Sequence, residues 1–124
     1  MTALLDSSVW IEYWKGGGYA DAAAQYIEGH ERALPSTINV AEVHYWIARI
    51  YGEEEANERV ASIERRCHLL PVSKEIAIDG SRLKQKYGLS IADCLILSTA
   101  HRYSATLITG DSGFEKIDNV VMLK

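Results

Sequence analysis

Short apolar runs alternate along this chain with longer stretches in which apolar residues recur at helical spacing. Ala3-Leu4-Leu5 is the first such run, and it ends on an acid, Asp6. Ser7-Ser8 and then Val9-Trp10-Ile11-Glu12-Tyr13-Trp14 follow, a pattern that predicts a buried strand feeding a helix. Gly16-Gly17-Gly18 breaks the chain. From Tyr19 to Gly29 the sequence is alanine-rich, with Tyr19, Ala23, Tyr26 and Ile27 at helical spacing, which predicts a second helix. Arg32 to Ser36 reads as a short strand whose Pro35 sits at the end, where a missing ladder donor costs least.

Between Ile38 and Tyr51, Val40, Val43, Ile47 and Ile50 mark one helical face, and Gly52 stops the helix. Glu53 to Arg66 starts with acids and ends with Arg65-Arg66, the polarity that complements a helix dipole, so a helical hairpin is expected. Leu69-Leu70-Pro71-Val72 reads as a further strand, and Lys74 to Tyr87 as a helix ending at Gly88. Ser90 to Tyr103 differs from the others. Its Ile91, Ala92, Cys94, Leu95, Ile96, Leu97 and Ala100 surround the axis instead of lining one stripe, which predicts a central, buried helix. Thr106 to Thr109 is a strand, Gly110-Asp111-Ser112-Gly113 a turn, and Val120 to Leu123 a last strand. Strands alternating with helices imply an α/β fold with a mostly parallel sheet covered on both faces.

The composition fits residues 1–124 folding as a single soluble domain: 124 residues, 48% of them hydrophobic, bury enough surface to need no disulfide or structural metal. Cys67 and Cys94 form no CxxC pair, so reduced thiols and a cytoplasmic location are expected. The first residues lack the basic and longer apolar segments of a signal peptide, and no run of about 20 apolar residues suggests a membrane span. A net charge of −4 argues against a uniform basic surface for nucleic acid, but it does not exclude phosphate binding through a metal.

In an open α/β sheet, ligands bind at the carboxyl ends of the strands. Asp6 and Asp111 each follow a predicted strand there, while Glu42 and Asp93 lie in the first turns of helices that start from the same side. Four carboxylates in one cleft repel one another unless a cation compensates, and an all-oxygen ligand set suits Mg²⁺ or Mn²⁺. A metal-positioned water attacking a phosphate ester would then need no protein nucleophile. Each acid also has a plainer role. Asp6 would cap the helix at Ser7, Asn39-Val40-Ala41-Glu42 and Ser90-Ile91-Ala92-Asp93 have capping-box spacing, and Asp111 suits a turn. Asp93 fits capping least well, because it lies in an otherwise apolar helix where a carboxylate needs a partner.

Leu4-Leu5-Asp6-Ser7-Ser8-Val9, Asn39-Val40-Ala41-Glu42, Leu89-Ser90-Ile91-Ala92-Asp93-Cys94-Leu95-Ile96 and Leu107-Ile108-Thr109-Gly110-Asp111-Ser112-Gly113-Phe114, in this order, resemble a PIN domain. Within that family the chain looks most like the small VapC-type toxins of toxin–antitoxin pairs. The resemblance implies a three-layer α/β/α fold and a Mg²⁺- or Mn²⁺-dependent endoribonuclease. It puts Asp6, Glu42, Asp93 and Asp111 at the family's acidic positions, with Ser8 and Thr109 as supporting hydroxyls. It also implies a homodimer and a small antitoxin that covers the cleft. Ser7-Ser8 departs from the Thr or Asn that many relatives carry after the first aspartate.

Other residues change this picture little. His30, His44, His68 and His101 with the two cysteines make no spaced zinc pattern. Trp10, Tyr13 and Trp14 are candidates for base stacking, a dimer face or core packing, and Trp46 for the edge of the cleft. Arg65, Arg66, Arg82, Lys84 and Lys86 are candidates for RNA phosphates, although scattered helical bases are usually solvated faces. Two rival functions use the same fold: a catalytically silent interaction module, and a phosphatase or DNA nuclease built on the same acids.

Overall fold

The structure is a computed structural model that describes residues 2–29 and 32–124. His30, among the residues weighed as a zinc ligand, lies outside them. In chain order the elements are β1 (Thr2–Leu5), α1 (Ser7–Lys15), α2 (Ala20–Ile27), β2 (Arg32–Leu34), α3 (Thr37–Tyr51) and α4 (Glu53–Arg66). Then come α5 (Lys74–Tyr87), α6 (Ile91–Arg102), β3 (Thr106–Thr109), a 3-10 turn (Ser112–Phe114) and β4 (Val120–Met122). The four strands form one parallel sheet in the order β2-β1-β3-β4.

β1 and β3 have too few polar residues for a solvated face because both sides are covered. Ala3, Leu5 and Ile108 pack on one side with Val9 and Trp10 of α1, Ala23 and Ile27 of α2, Val43 and Ile47 of α3, and Ala56 and Ile63 of α4. Leu4 and Leu107 pack on the other with Ile96, Leu97 and Ala100 of α6. The result is the expected α/β/α layering. α6 packs against α5 and β3 and is buried over most of its circumference, as its apolar ring requires. No helix among the described residues is long and apolar enough to cross a membrane.

Local sequence sets the helix ends. Gly16 and Gly88 close α1 and α5 in the left-handed region, at φ 68° and 72°, where a Cβ would be strained. Ser73 and Ser90 cap α5 and α6 through their hydroxyls. Three expectations are corrected. Leu69 to Val72 is not a strand: it makes one bridge, Leu70 with Ser36, because Pro71 has no amide donor and α3 starts directly after Ser36. Ile50 shares the apolar face of α3 but is 56% exposed, since the core does not reach the last turn. The cap of α3 is Ser36, which exchanges hydrogen bonds with Asn39 in a capping box, so the box lies three residues earlier than Asn39 to Glu42.

Candidate active site

The strand order brings residues separated by more than a hundred positions into contact. After β1 the chain moves to β2 on one side and returns to β3 on the other, so the order reverses between β1 and β3. That reversal opens a crevice at the carboxyl ends of the two strands. Asp6 follows β1 directly, and its amide donates to the Ile108 carbonyl at 3.0 Å. Thr109 is the last residue of β3, and Asp111 follows two residues later.

Asp6 forms the floor of the site. Its carboxylate is only 4% exposed, and both oxygens accept hydrogen bonds. Oδ1 accepts from the Ser7 amide at 2.9 Å and from Asn39 Nδ2 at 3.3 Å. Oδ2 accepts from Thr109 Oγ1 at 2.7 Å and Ser8 Oγ at 3.3 Å. The capping role is therefore real, but it is one bond of several. The same hydroxyls tie down the next loop: Ser8 Oγ accepts from the Gly110 amide at 3.0 Å, and Thr109 Oγ1 from the Asp111 amide at 2.9 Å.

The other three acids line the rim. Glu42 Oε1 accepts from Ser7 Oγ at 2.9 Å, a contact that points the carboxylate toward β1 and not back along α3. Asp93 sits in the first turn of α6, with its amide on Ser90 Oγ at 3.1 Å. Asp111 turns its Oδ1 to the Gly113 amide at 2.9 Å, so the turn role also holds. Burial is the main cause that pushes the Asp6, Glu42 and Asp93 carboxyls above their ordinary range. Mutual repulsion adds to it: Asp6 feels Asp111, Asp93 feels Asp111 and Asp6, and Glu42 feels all three. The four acids thus share one electrostatic field, and among the described residues none of them is ion-paired.

Further side chains complete the surroundings of the acids, among which local sequence singles out only Ser7. Asn39 is fully buried and bridges the site, its Oδ1 capping α3 and its Nδ2 on Asp6; the Ser36-to-Asn39 spacing was the available signal. Ser7 joins Asp6 to Glu42. Tyr19 has its phenol against Gly110, beside Ser8 and Glu12, a contact that no local pattern announces. Trp10 is core, while Trp14, Trp46 and Tyr51 line a separate cavity of about 190 Å³ between α1, α3 and α4. Trp46, a candidate for the cleft edge, faces this cavity. Arg82 pairs with Asp79, Lys84 donates to the Leu89 carbonyl, and Lys86 lies over Tyr87, so each has a partner near its own helix.

The donor set suits a hard divalent cation: carboxylates that repel one another and that, among the described residues, have no ion-paired base. Among the described residues no three of these side chains are gathered tightly enough to be a ready-made ligand cage. Mg²⁺ does not need one, since it keeps several waters and takes as few as one or two carboxylates directly.

A sequence profile of the PIN domain matches residues 3–120. The chain belongs to the PIN domain family. No curated protein matches it. Among solved structures, it is similar to a toxin–antitoxin complex from Klebsiella pneumoniae, with 26% identity over 98% of this chain and 97% of that chain and a TM-score of 0.80. The fold is also similar to that of VapC20 of Mycobacterium tuberculosis, a toxin described as cleaving the sarcin–ricin loop: 13% identity, 99% and 100% covered, TM-score 0.80. VapBC2 of Rickettsia felis, bound to a promoter DNA fragment, gives 19% identity, 98% and 97% covered, and a TM-score of 0.76. PIN domain nucleases generally use divalent metals.

Proposed function

We propose that this PIN domain is a cytoplasmic, Mg²⁺- or Mn²⁺-dependent endoribonuclease and the toxin of a toxin–antitoxin pair. The observation that carries the reading is the buried, four-donor seat of Asp6 at the β1–β3 crevice, ringed by Glu42, Asp93 and Asp111. Asp6 and Asp93 would hold the metal, with Glu42 and Asp111 completing the acidic set. A bound ion supplies neutralisation of the phosphodiester charge and an activated water. Ser8 and Thr109 fix the Asp6 carboxylate in one orientation, so no reorganisation is needed when substrate arrives. Glu42, turned by Ser7, would take the proton from the attacking water.

The toxin assignment draws on the 26% identical Klebsiella pneumoniae structure, which is described as a toxin–antitoxin complex. A small antitoxin would cover the cleft, and a basic side chain from it would relieve the repulsion among the acids. The active form would be a homodimer.

The test is cleavage of a mixed RNA pool by the purified protein with Mn²⁺ or with EDTA, beside Asp6→Asn and Asp93→Asn. Metal-dependent cleavage lost in both folded variants is expected. Full activity in both would overturn the assignment. Absence of both Mn²⁺ binding and cleavage would favour the silent interaction module, and a preference for DNA or a phosphomonoester would favour the other nuclease or phosphatase reading.

A further inference from the structure

The loop that carries Asp111 leaves β3 through Gly110, and the space beside that glycine is filled. A Cβ built on Gly110 would overlap the hydroxyl and ring tip of Tyr19. Tyr19 arrives from far away in sequence, through the Gly16-Gly17-Gly18 break, and stands at the N-terminal end of α2. Its side chain is half-buried, beside the Ser8 hydroxyl that bonds both Asp6 Oδ2 and the Gly110 amide. The phenol is confined from behind as well. The Glu12 carboxylate flanks it and is itself packed over Gly17, where a Cβ would overlap Glu12 Oε1. Two glycines in different loops therefore leave room for one stack: Gly17, Glu12, Tyr19, Gly110.

We infer that Tyr19 is a positioning residue for the acidic site, its phenol seated over Gly110 and fixing the backbone that carries Asp111 and meets Ser8. The role is steric. Gly110 is small because Tyr19 occupies the place of its side chain, and the loop cannot settle differently without displacing the ring. A loop held only by the Ser8 and Thr109 hydroxyls could tilt by a fraction of an ångström; the ring removes that freedom. Such a tilt would move Asp111 relative to Asp6, and small misplacements of this kind cost up to about 100-fold in rate. The catalytic consequence rests on the proposed nuclease function, whereas the loop restraint does not.

Two readouts separate these. In the metal-free protein, hydrogen exchange at the Gly110 and Asp111 amides, whose acceptors are Ser8 and Thr109, should accelerate about 10-fold or more in Tyr19→Ala and in Gly110→Ala, and remain near wild type in Tyr19→Phe. On a fluorophore–quencher RNA of randomised sequence with Mn²⁺, Tyr19→Ala should lower kcat about 10- to 100-fold with little change in KM, and Tyr19→Phe should restore it. Gly110→Ala adds one methyl group, so it tests the same seat even if Tyr19→Ala folds poorly. Its effect should disappear in the Tyr19→Ala background, where the methyl meets no ring. Unchanged exchange in Tyr19→Ala, independent multiplying effects of the two substitutions, or a Tyr19→Phe variant as poor as Tyr19→Ala would each overturn the inference. If exchange changes as expected but even Asp6→Asn leaves cleavage intact, the nuclease reading fails and the loop restraint stands.

Discussion

The floor and the rim of the acidic crevice use the same kind of side chain in opposite ways. Asp6, on the floor, is almost fully buried and receives hydrogen bonds on both oxygens from α1, α3 and β3. Asp93, on the rim, is half-buried, and the charges of Asp111 and Asp6 act against it. The floor acid is held by the protein. The rim acid faces the charges of two neighbouring carboxylates. A buried carboxylate with its donors in place is tied into the fold on several sides, whereas a crowded rim carboxylate is opposed by its neighbours.

Asp6→Ala should break this contrast most strongly. It leaves Thr109, Ser8, Asn39 and the Ser7 amide without their shared acceptor, and unsatisfied buried groups cost about 1–3 kcal/mol each. A destabilisation of about 3 kcal/mol in urea unfolding and complete loss of cleavage are expected; a change below about 1 kcal/mol would show that the floor is not structural. Thr109→Val preserves shape but deletes the donor to Asp6 and the acceptor for the Asp111 amide, so about 2 kcal/mol should be lost by the same measurement. Asn39→Ala removes half of the α3 capping box together with one bond to Asp6, and a loss of about 1–2 kcal/mol is expected.

Asp93→Asn should act in the opposite direction and least. Without divalent metal it removes repulsion, so stability should rise by a few tenths of a kcal/mol and the melting temperature with it, while Mn²⁺-induced stabilisation is lost. A lower melting temperature would erase the distinction between floor and rim. The pH dependence sharpens it. The Asp6, Glu42 and Asp93 carboxyls titrate higher in the folded chain than at their ordinary values of 3.8, 4.5 and 3.8. Protonation therefore favours the folded state, and this contribution is complete below those values and lost as pH rises through the raised ones. In the metal-free protein, melting curves between pH 7 and pH 4 should show a stabilising contribution on acidification that is smaller in Asp93→Asn, and saturating Mn²⁺ should reverse it near neutrality.

Much of this was legible in local sequence, and three departures stand at particular residues. Leu69 to Val72 had the composition of a strand, yet a single bridge formed because Pro71 offers no donor. Glu42 matched a capping box that Ser36 and Asn39 form instead, which frees the glutamate for Ser7. Trp46 follows Glu42 by one turn, yet it faces the cavity shared with Trp14 and Tyr51.

By itself the sequence determined the helices, four of the strands, the glycine stops at Gly16 and Gly88 and the buried character of α6. These depend on side chains within a few residues of one another, whose periodicity and hydrogen bonding act along one element. Only the tertiary structure decided that β1 lies beside β3, that Thr109 reaches Asp6 across 103 positions, that Asn39 turns inward, and that Tyr19 fills the space beside Gly110. Strand order is settled by covering both faces of one sheet at once, a condition on the whole chain that no local window contains.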